Sequence, residues 1–318
     1  VEPKTTDRQD LQPRTDVCVV GEALIDIVTT AAGPVEHPGG SPANVAYGLG
    51  RLGVPTGLLT AIGPDRRGAA IREHLLSAGV ALLPGSQSLS RTSTATAVLG
   101  ADGSAVYSFD VNWDLAGATL AARPRLVHTG SIAAFLAPGA AVVKSLVEDI
   151  QHHCTVTLDP NIRPALLGTH AEARVIFEEL IPSTDVVKLS DEDARWLYPR
   201  KDIESAATHI LGLGASLAVV TMGADGSHLA SREGTLRIPA VATGVADTIG
   251  AGDSYMSALI LGLLTRATEG FAPPVLERIG RCAAAAAAIT VRRAGANPPT
   301  LQELEAALGS RPTAHAIS

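Results

Sequence analysis

Three residues with almost no side chain, Gly250, Ala251 and Gly252, precede Asp253 in the stretch DTIGAGDSYMSALI, and an apolar helix-forming run follows. Backbone N–H groups can converge over such residues just where a helix start exposes unpaired donors and a positive dipole end, which makes a ready anion site. A carboxylate beside that site would repel the anion unless it had a task, and taking the proton from a hydroxyl that attacks a phosphoryl group is such a task. Taken alone, the segment reads equally well as a glycine turn with Asp253 capping its helix. A second stretch, HPGGSPANVAYGLGRLG from His37, sets Gly39 and Gly40 before Asn44 in the first turns of a helix. The glycines allow close backbone approach to a ligand, and Asn44 offers both donor and acceptor, as sugar hydroxyls require. A plain glycine turn is the alternative. Asp26, a lone acid in the apolar GEALIDIV, is either a solvated edge carboxylate or a bidentate acceptor for two hydroxyls.

Other chemistries find no support. The lysines are Lys4, Lys144, Lys188 and Lys201, none after a glycine, so a GxxxxGK[ST] phosphate loop is absent. GLGRLG, Gly48 to Gly53, matches GxGxxG but ends a helix that begins near Pro42. It therefore fails as a dinucleotide fingerprint and reads as a helix C-terminus packed closely against a sheet. His152 and His153 sit at a helix end, where a solvated position favoured by the helix dipole is the simplest reading. The 25 basic and 32 acidic residues leave a net charge of −7, so no chain-wide basic field exists for nucleic acid or an anionic membrane. Small-molecule ligands are the expected partners. Cys18, Cys154 and Cys282 are dispersed and odd in number, which fits a reducing cytoplasm. Without an apolar run of about 18 residues, the chain is expected to be soluble and cytoplasmic. CAAAAAAITV, from Cys282, reads as a helix whose alanines let a neighbour approach.

The elements that position these residues follow from periodicity. Continuous apolar runs at VCVVG (from Val17), 57–63, 126–130, 155–159, 185–190 and 217–223 suit buried parallel strands. They alternate with helix-period segments near 65–78, 138–151, 171–180 and 202–212. That alternation predicts an α/β fold with helices on both faces of a mostly parallel central sheet, and places ligand sites after strand ends. ALIDIVTTAAG and the span Arg91 to Val111 break the pattern. The second has period-two patterning around GADGS, a hairpin signal, and predicts a small β-appendage outside the main sheet. The ends, 1–15 and 310–318, read as frayed.

With both glycine motifs in hand, the chain resembles the ribokinase-like (PfkB) sugar kinases over roughly Asp16 to Leu308. GGSPANVAYGLGRLG is similar to the N-terminal family signature and DTIGAGDSYMSALI to the C-terminal one, in the right order. The resemblance implies a three-layer α/β sandwich with a small β-sheet lid from about 24–37 and 90–112, in a kinase domain spanning 16–309 between a disordered 1–15 and a flexible 310–318. It implies that Asp253 takes the proton of the sugar hydroxyl and that the amides of Gly250, Ala251 and Gly252 receive the γ-phosphoryl group of ATP. Asp26, Gly39, Gly40 and Asn44 would hold the sugar. Arg163, in DPNIRP, would neutralise charge near the phosphates. KLSDED occupies the place of the family's Asn-x-x-Glu motif but reads Ser190 and Asp193, leaving Asp193 a water-mediated role at Mg²⁺ on a shorter stem. Lys188, Ser190, Thr221, Gly223 and Gly226 would border the nucleotide. Asp247, the carbonyl of Ile249 and the loop RRAGANPP would surround a monovalent cation such as K⁺. Lids pair in several relatives, so a homodimer through the lid is a further expectation.

GEALIDI, DPNIRP and KLSDED lean toward fructokinase-like members, and AAAAAAITVRRAGA toward ribokinase. Trp113, in FDVNWDLAG, either reads one end of the sugar or belongs to the core of the lid. Scarce lysine disfavours a sugar-phosphate substrate, which would need a second basic cluster. The leading expectation is ATP-dependent phosphorylation of a free ketohexose at a primary hydroxyl. Ribokinase, 2-keto-3-deoxygluconate kinase and nucleoside kinase activities are the alternatives within the fold. A non-catalytic sugar-binding regulator is the alternative of another class.

Overall fold

The structure is a computed structural model and describes residues 15–30, 33–99, 105–115, 118–120, 123–265 and 270–309. The terminal segments 1–14 and 310–318 and the expected GADGS turn, 100–104, lie outside the described residues. Along the chain the strands are β1 (Val17–Val20), β2 (Leu24–Thr30), β3 (Gly33–Gly39), β4 (Thr56–Leu59), β5 (Ala81–Leu82), β6 (Thr94–Leu99), β7 (Ala105–Asp110), β8 (Leu126–Gly130), β9 (Thr155–Asp159), β10 (Val186–Ser190), β11 (Leu217–Thr221), β12 (Ser227–Ser231) and β13 (Gly234–Ile238). The helices are α1 (Ser41–Arg51), α2 (Arg66–Ser77), α3 (Gly139–Ile150), α4 (His170–Leu180), α5 (Asp191–Leu197), α6 (Ile203–Leu213), α7 (Ala251–Thr265), α8 (Pro273–Thr290) and α9 (Leu301–Gly309).

The large sheet runs β13-β12-β11-β10-β9-β8-β1-β4-β5. It is parallel except where β12 and β13 fold back on β11. Side chains of a strand alternate between faces, so an apolar run with no polar partner face must be covered on both sides. In β1, Val17 and Val19 join a core with α1, α2, α7 and α8, while Cys18 and Val20 pack with Val143 and Val147 of α3. Toward the other end of the sheet, α4, α5 and α6 cover Leu158, Val187, Leu189 and Val220. This is a three-layer α/β sandwich.

The appendage is a separate sheet, β3-β2-β6-β7. Pro34 and Pro38 can sit in β3 because it is an edge strand, where a missing N–H costs no ladder bond. Asp65 secures the base of this sheet to α2. Its Oδ1 accepts from the Gly68 amide (2.8 Å) at the helix N-terminus and from Thr92 Oγ1 (2.7 Å), and its Oδ2 accepts from the Thr92 amide (2.8 Å). Burial works to raise its carboxyl, but those donors hold it down at about 2.

Two sequence expectations need refinement. The helix ending in GLGRLG packs on the sheet as read, Leu49 and Leu52 sharing one core with Val17, Val19 and Leu58, but two of its glycines meet other elements: a Cβ on Gly48 would lie 2.4 Å from Ser257 Oγ of α7, and one on Gly50 would lie 2.3 Å from the Ala78 carbonyl after α2. Gly53 then ends the helix at φ +75°. Trp113 is 2% exposed, donates to the Ala133 carbonyl at 3.1 Å and packs in one core with Val20, Val127 and Val143, so it belongs to the main domain and neither reads the sugar nor fills the lid. The alanine run 283–286 is buried in α8, which packs on α7 closely enough that a Cβ on Gly262 would be 2.9 Å from Ile279. Among the described residues, no helix is long and apolar enough to cross a membrane.

Candidate active site

The carboxyl ends of β1, β8, β9 and β10 meet the N-termini of α1 and α7 in one cleft beneath the small sheet. This is where an α/β sheet with parallel strands leaves room for a ligand. Asp253 stands in the first turn of α7. Its Oδ1 accepts from Ser41 Oγ at 2.7 Å and its Oδ2 from Asn44 Nδ2 at 2.9 Å, so two side chains of α1 grip the carboxylate. Gly250 and Gly252 line the cleft beside it. Gly250 takes φ +74°, and a Cβ there would come within 2.7 Å of Ala296. Ala251 differs from expectation: its N–H closes a turn onto the Thr248 carbonyl (3.2 Å) and it does not line the cleft.

Asp26 faces the same cleft from β2. Burial pushes its carboxyl up to about 6, with Arg163 and His37 opposing and Asp253 adding to the rise. Gly39 makes space for this carboxylate, since a Cβ there would lie 1.9 Å from Asp26 Oδ2. Gly40, at φ +98°, starts α1 where a Cβ would press on the Glu22 carbonyl at 2.6 Å. Gly39 thus serves Asp26 where the expectation gave it to the sugar, and Gly40, held by the Glu22 backbone, lines the cleft. Arg163 lines the cleft, and its charge acts on Asp26 and Glu22; the expectation put it near the phosphates.

Lys188 Nζ lies 2.7 Å from Asp159 Oδ2, with only 5% and 2% of the two side chains exposed. Burial opposes the ammonium charge, yet Asp159, then Asp253 and Asp193, hold Lys188 above the ordinary lysine range. The same Nζ would be 3.1 Å from a Cβ on Gly252, which puts a cation directly under the start of α7. Ser190 and Asp193 form a reciprocal capping box at α5 and do not line the cleft. Asp193 Oδ1 also accepts from the Ile162 amide at 2.9 Å, so it braces the loop that carries Arg163. Thr221, Gly223 and Gly226 lie in and after β11, outside the residues lining this cleft. Gly226, at φ +86°, could not carry a side chain, because a Cβ would be 2.1 Å from the Ile238 carbonyl. Asp247 ties two loops together, accepting from the Ile249 amide (3.0 Å) and the Gly295 amide (2.8 Å).

Sequence reasoning missed Glu22, Ser41, Ser131, Asp159 and Asn161, all of which line the cleft. Glu22 is 3% exposed and accepts from the Ala133 amide at 3.1 Å. Burial pushes its carboxyl up to about 7 against the Ser131 hydroxyl, the Ala133 amide and Arg163. Its signal was available: an acid directly after the glycine that ends a central strand. Ser131 (φ +52°) and Asn161 (φ +37°) hold left-handed backbone at the strand ends, which nothing in their sequence announces.

The fold and this cleft define an α/β enzyme built to bring an anion and a polyhydroxyl ligand together. The chain belongs to the pfkB family of carbohydrate kinases, whose family model matches residues 14–303. It is 32% identical over 256 residues, 76% of this chain and 78% of the relative, to a fructokinase of Rhizobium leguminosarum bv. trifolii. It is 28% identical, over 78% of this chain and 81% of the relative, to an ATP-dependent 6-phosphofructokinase of Thermoanaerobacterium thermosaccharolyticum. Among solved structures it is similar to a double-mutant fructokinase of Vibrio cholerae O395 in a form with fructose, ADP and potassium ion bound, with a TM-score of 0.80, 24% identity and coverage of 92% of this chain and 98% of that one.

Proposed function

We propose that this enzyme transfers the γ-phosphoryl group of ATP to a primary hydroxyl of fructose or a closely related free ketose. The observation that carries this reading is the shared cleft in which Asp253, at the N-terminus of α7, faces Asp26 and Arg163 across the width of one sugar end and one phosphoryl end. The hydroxyl oxygen attacks the γ-phosphorus in line. The bond to the β-phosphate oxygen breaks, its electron pair leaves with ADP, and the hydroxyl proton passes to the Asp253 carboxylate. The amides of Gly250 and Gly252 and the positive end of α7 receive the charge on the transferring group, with the Lys188 ammonium beneath them. Asp26 accepts sugar hydroxyls, and Asn44 turns its carbonyl oxygen toward them while its amide nitrogen holds Asp253. Phe109 and the small sheet cover the sugar, keeping out water that would compete for the phosphoryl group. Thr221, Gly223 and Gly226 border the far end of the nucleotide.

The donor set suits the ions this chemistry uses. Asp159 Oδ1 is buried without a hydrogen-bond partner on the cleft wall, a fitting ligand for Mg²⁺, with Asp193 behind it acting through water. Bound there, Mg²⁺ would neutralise phosphate charge. Asp247 and the Ile249 carbonyl, beside the loop of Gly295, suit a monovalent cation such as K⁺ that would stiffen the approach to Gly250. A cytoplasmic setting fits the free cysteines Cys18, Cys154 and Cys282. Pairing of two chains through the lid belongs to the same reading, with Val35 exposed on its edge strand β3.

A free sugar is favoured over a phosphorylated one by charge. Lys188 is tied to Asp159, which leaves Arg163 facing Asp26 at the sugar end, with the buried Glu22 beside them. A second phosphate there would meet an Arg163 already matched by Asp26. ADP release measured with ATP and Mg²⁺ across fructose, fructose 6-phosphate, ribose, 2-keto-3-deoxygluconate and adenosine tests the reading. Fructose should give the highest kcat/KM, by about tenfold or more. A preference for fructose 6-phosphate would refute the free-sugar assignment, and sugar binding without turnover of any acceptor would refute the kinase.

A further inference from the structure

We propose that Ser41 is a positioning residue for phosphoryl transfer, holding the Asp253 carboxylate in one aimed orientation. The proposal rests on the reading of Asp253 as the base. A serine at a helix start ordinarily turns its hydroxyl onto the helix's own amides. Ser41 is the first residue of α1, yet no side chain caps that helix, whose N-cap is Gly40. The Ser41 hydroxyl instead reaches a carboxylate 212 residues away, at 2.7 Å. Asn44 is three positions on, hence on the same face of α1, and takes the other oxygen at 2.9 Å. Each carboxylate oxygen then keeps a further acceptor site for the substrate proton, while rotation of the carboxylate is stopped.

The two helices are also locked below this grip. Ser257, one turn after Asp253 on α7, donates to the Val45 carbonyl of α1 at 3.1 Å and to the Asp253 carbonyl at 2.8 Å. Ser41 itself is 9% exposed, although its bond to Asp253 lies on the wall of the cleft. The charged groups near Asp253 come from several elements: Asp26 of β2, Asp159 of β9 and Lys188 of β10 each interact with its charge, and Glu22 and Arg163 line the same cleft. A neutral donor such as the Ser41 hydroxyl holds the carboxylate without adding a charge that the phosphates would feel.

The test is steady-state kinetics of Ser41→Ala and Ser41→Thr beside Asp253→Asn. Ser41→Ala should lower kcat about tenfold, the effect of one lost hydrogen bond to a charged group, while KM for ATP stays within about twofold. The acid limb of its kcat profile should move up by about one pH unit. Ser41→Thr keeps the hydroxyl and should restore both. The position of the limb does not depend on how much of the variant is folded, so partial unfolding cannot imitate the result. An unmoved limb with unchanged kcat in Ser41→Ala would overturn the role of Ser41. Near-normal turnover in Asp253→Asn would overturn instead the reading on which it rests.

Discussion

Replacing Glu22 by Gln keeps the shape and one acceptor but removes a carboxylate that is costly to ionise where it sits. Burial moves this carboxyl from an ordinary 4.5 to about 7, against the Ser131 hydroxyl, the Ala133 amide and Arg163. A folded-state value above the unfolded one means that the native protein binds more protons between those two values. The contribution of Glu22 to stability is therefore complete below about pH 4.5 and is lost as pH rises through about 7. One unit of displacement corresponds to about 1.4 kcal/mol, so the loss across the window is about 3 kcal/mol. Glu22→Gln has no such loss. Urea unfolding of both proteins at pH 4.5 and pH 8 should show the variant gaining about 3 kcal/mol relative to wild type between the two pH values. Asp26 shifts in the same direction but is present in both proteins and cancels from the difference. A stability difference that is the same at both pH values would refute the claim that Glu22 is held protonated by burial near neutrality.

Gly39→Ala drives a methyl into Asp26 Oδ2 from 1.9 Å and should raise KM for the sugar about tenfold or more with KM for ATP nearly unchanged; equal effects on both would refute the division of the cleft into two ends. Gly250→Ala combines a left-handed φ of +74° with a contact to Ala296 at 2.7 Å. It should cost about 1–3 kcal/mol in a denaturant titration and lower kcat further than that loss of folded protein explains.

The sequence showed the large sheet well because its strands are buried on both faces and lie between helices of ordinary length. Val17 to Val20 needs no partner to be recognised as a central strand. β12 and β13 went unread because SHLAS and GTLRI are short, partly polar and paired to each other, so periodicity over a long window does not see them. β3, with two prolines and two glycines, carries no strand pattern of its own, and only the family resemblance put most of it in the lid at about 24–37. In the cleft, residues that do chemistry by type and neighbourhood were legible: Asp253 after three small residues, and Asp26 as a charge in an apolar run. Arg163 was legible only through the family resemblance of DPNIRP. The residues that act on other residues were not. Ser41 could be found only once α1 and α7 were side by side, and Asn44 shows a bond to Asp253 that its sequence neighbours cannot suggest. Asp193 is a mixed case. Its metal role was read from the family resemblance of KLSDED, and what that pattern did not show is that the folded chain also uses it to cap α5 and to brace Ile162.

The reading of this cleft as a sugar kinase turns on one proton acceptor. Single-turnover and steady-state rates of Asp253→Asn with ATP, Mg²⁺ and fructose, together with ATP binding by calorimetry, measure it directly. The amide can still accept from Ser41, but it cannot take a proton at neutral pH. The rate of phosphoryl transfer should fall by about a thousandfold or more, with the affinity for ATP within about twofold of wild type. A variant that transfers phosphate at near the wild-type rate would contradict the assignment of Asp253 as the base.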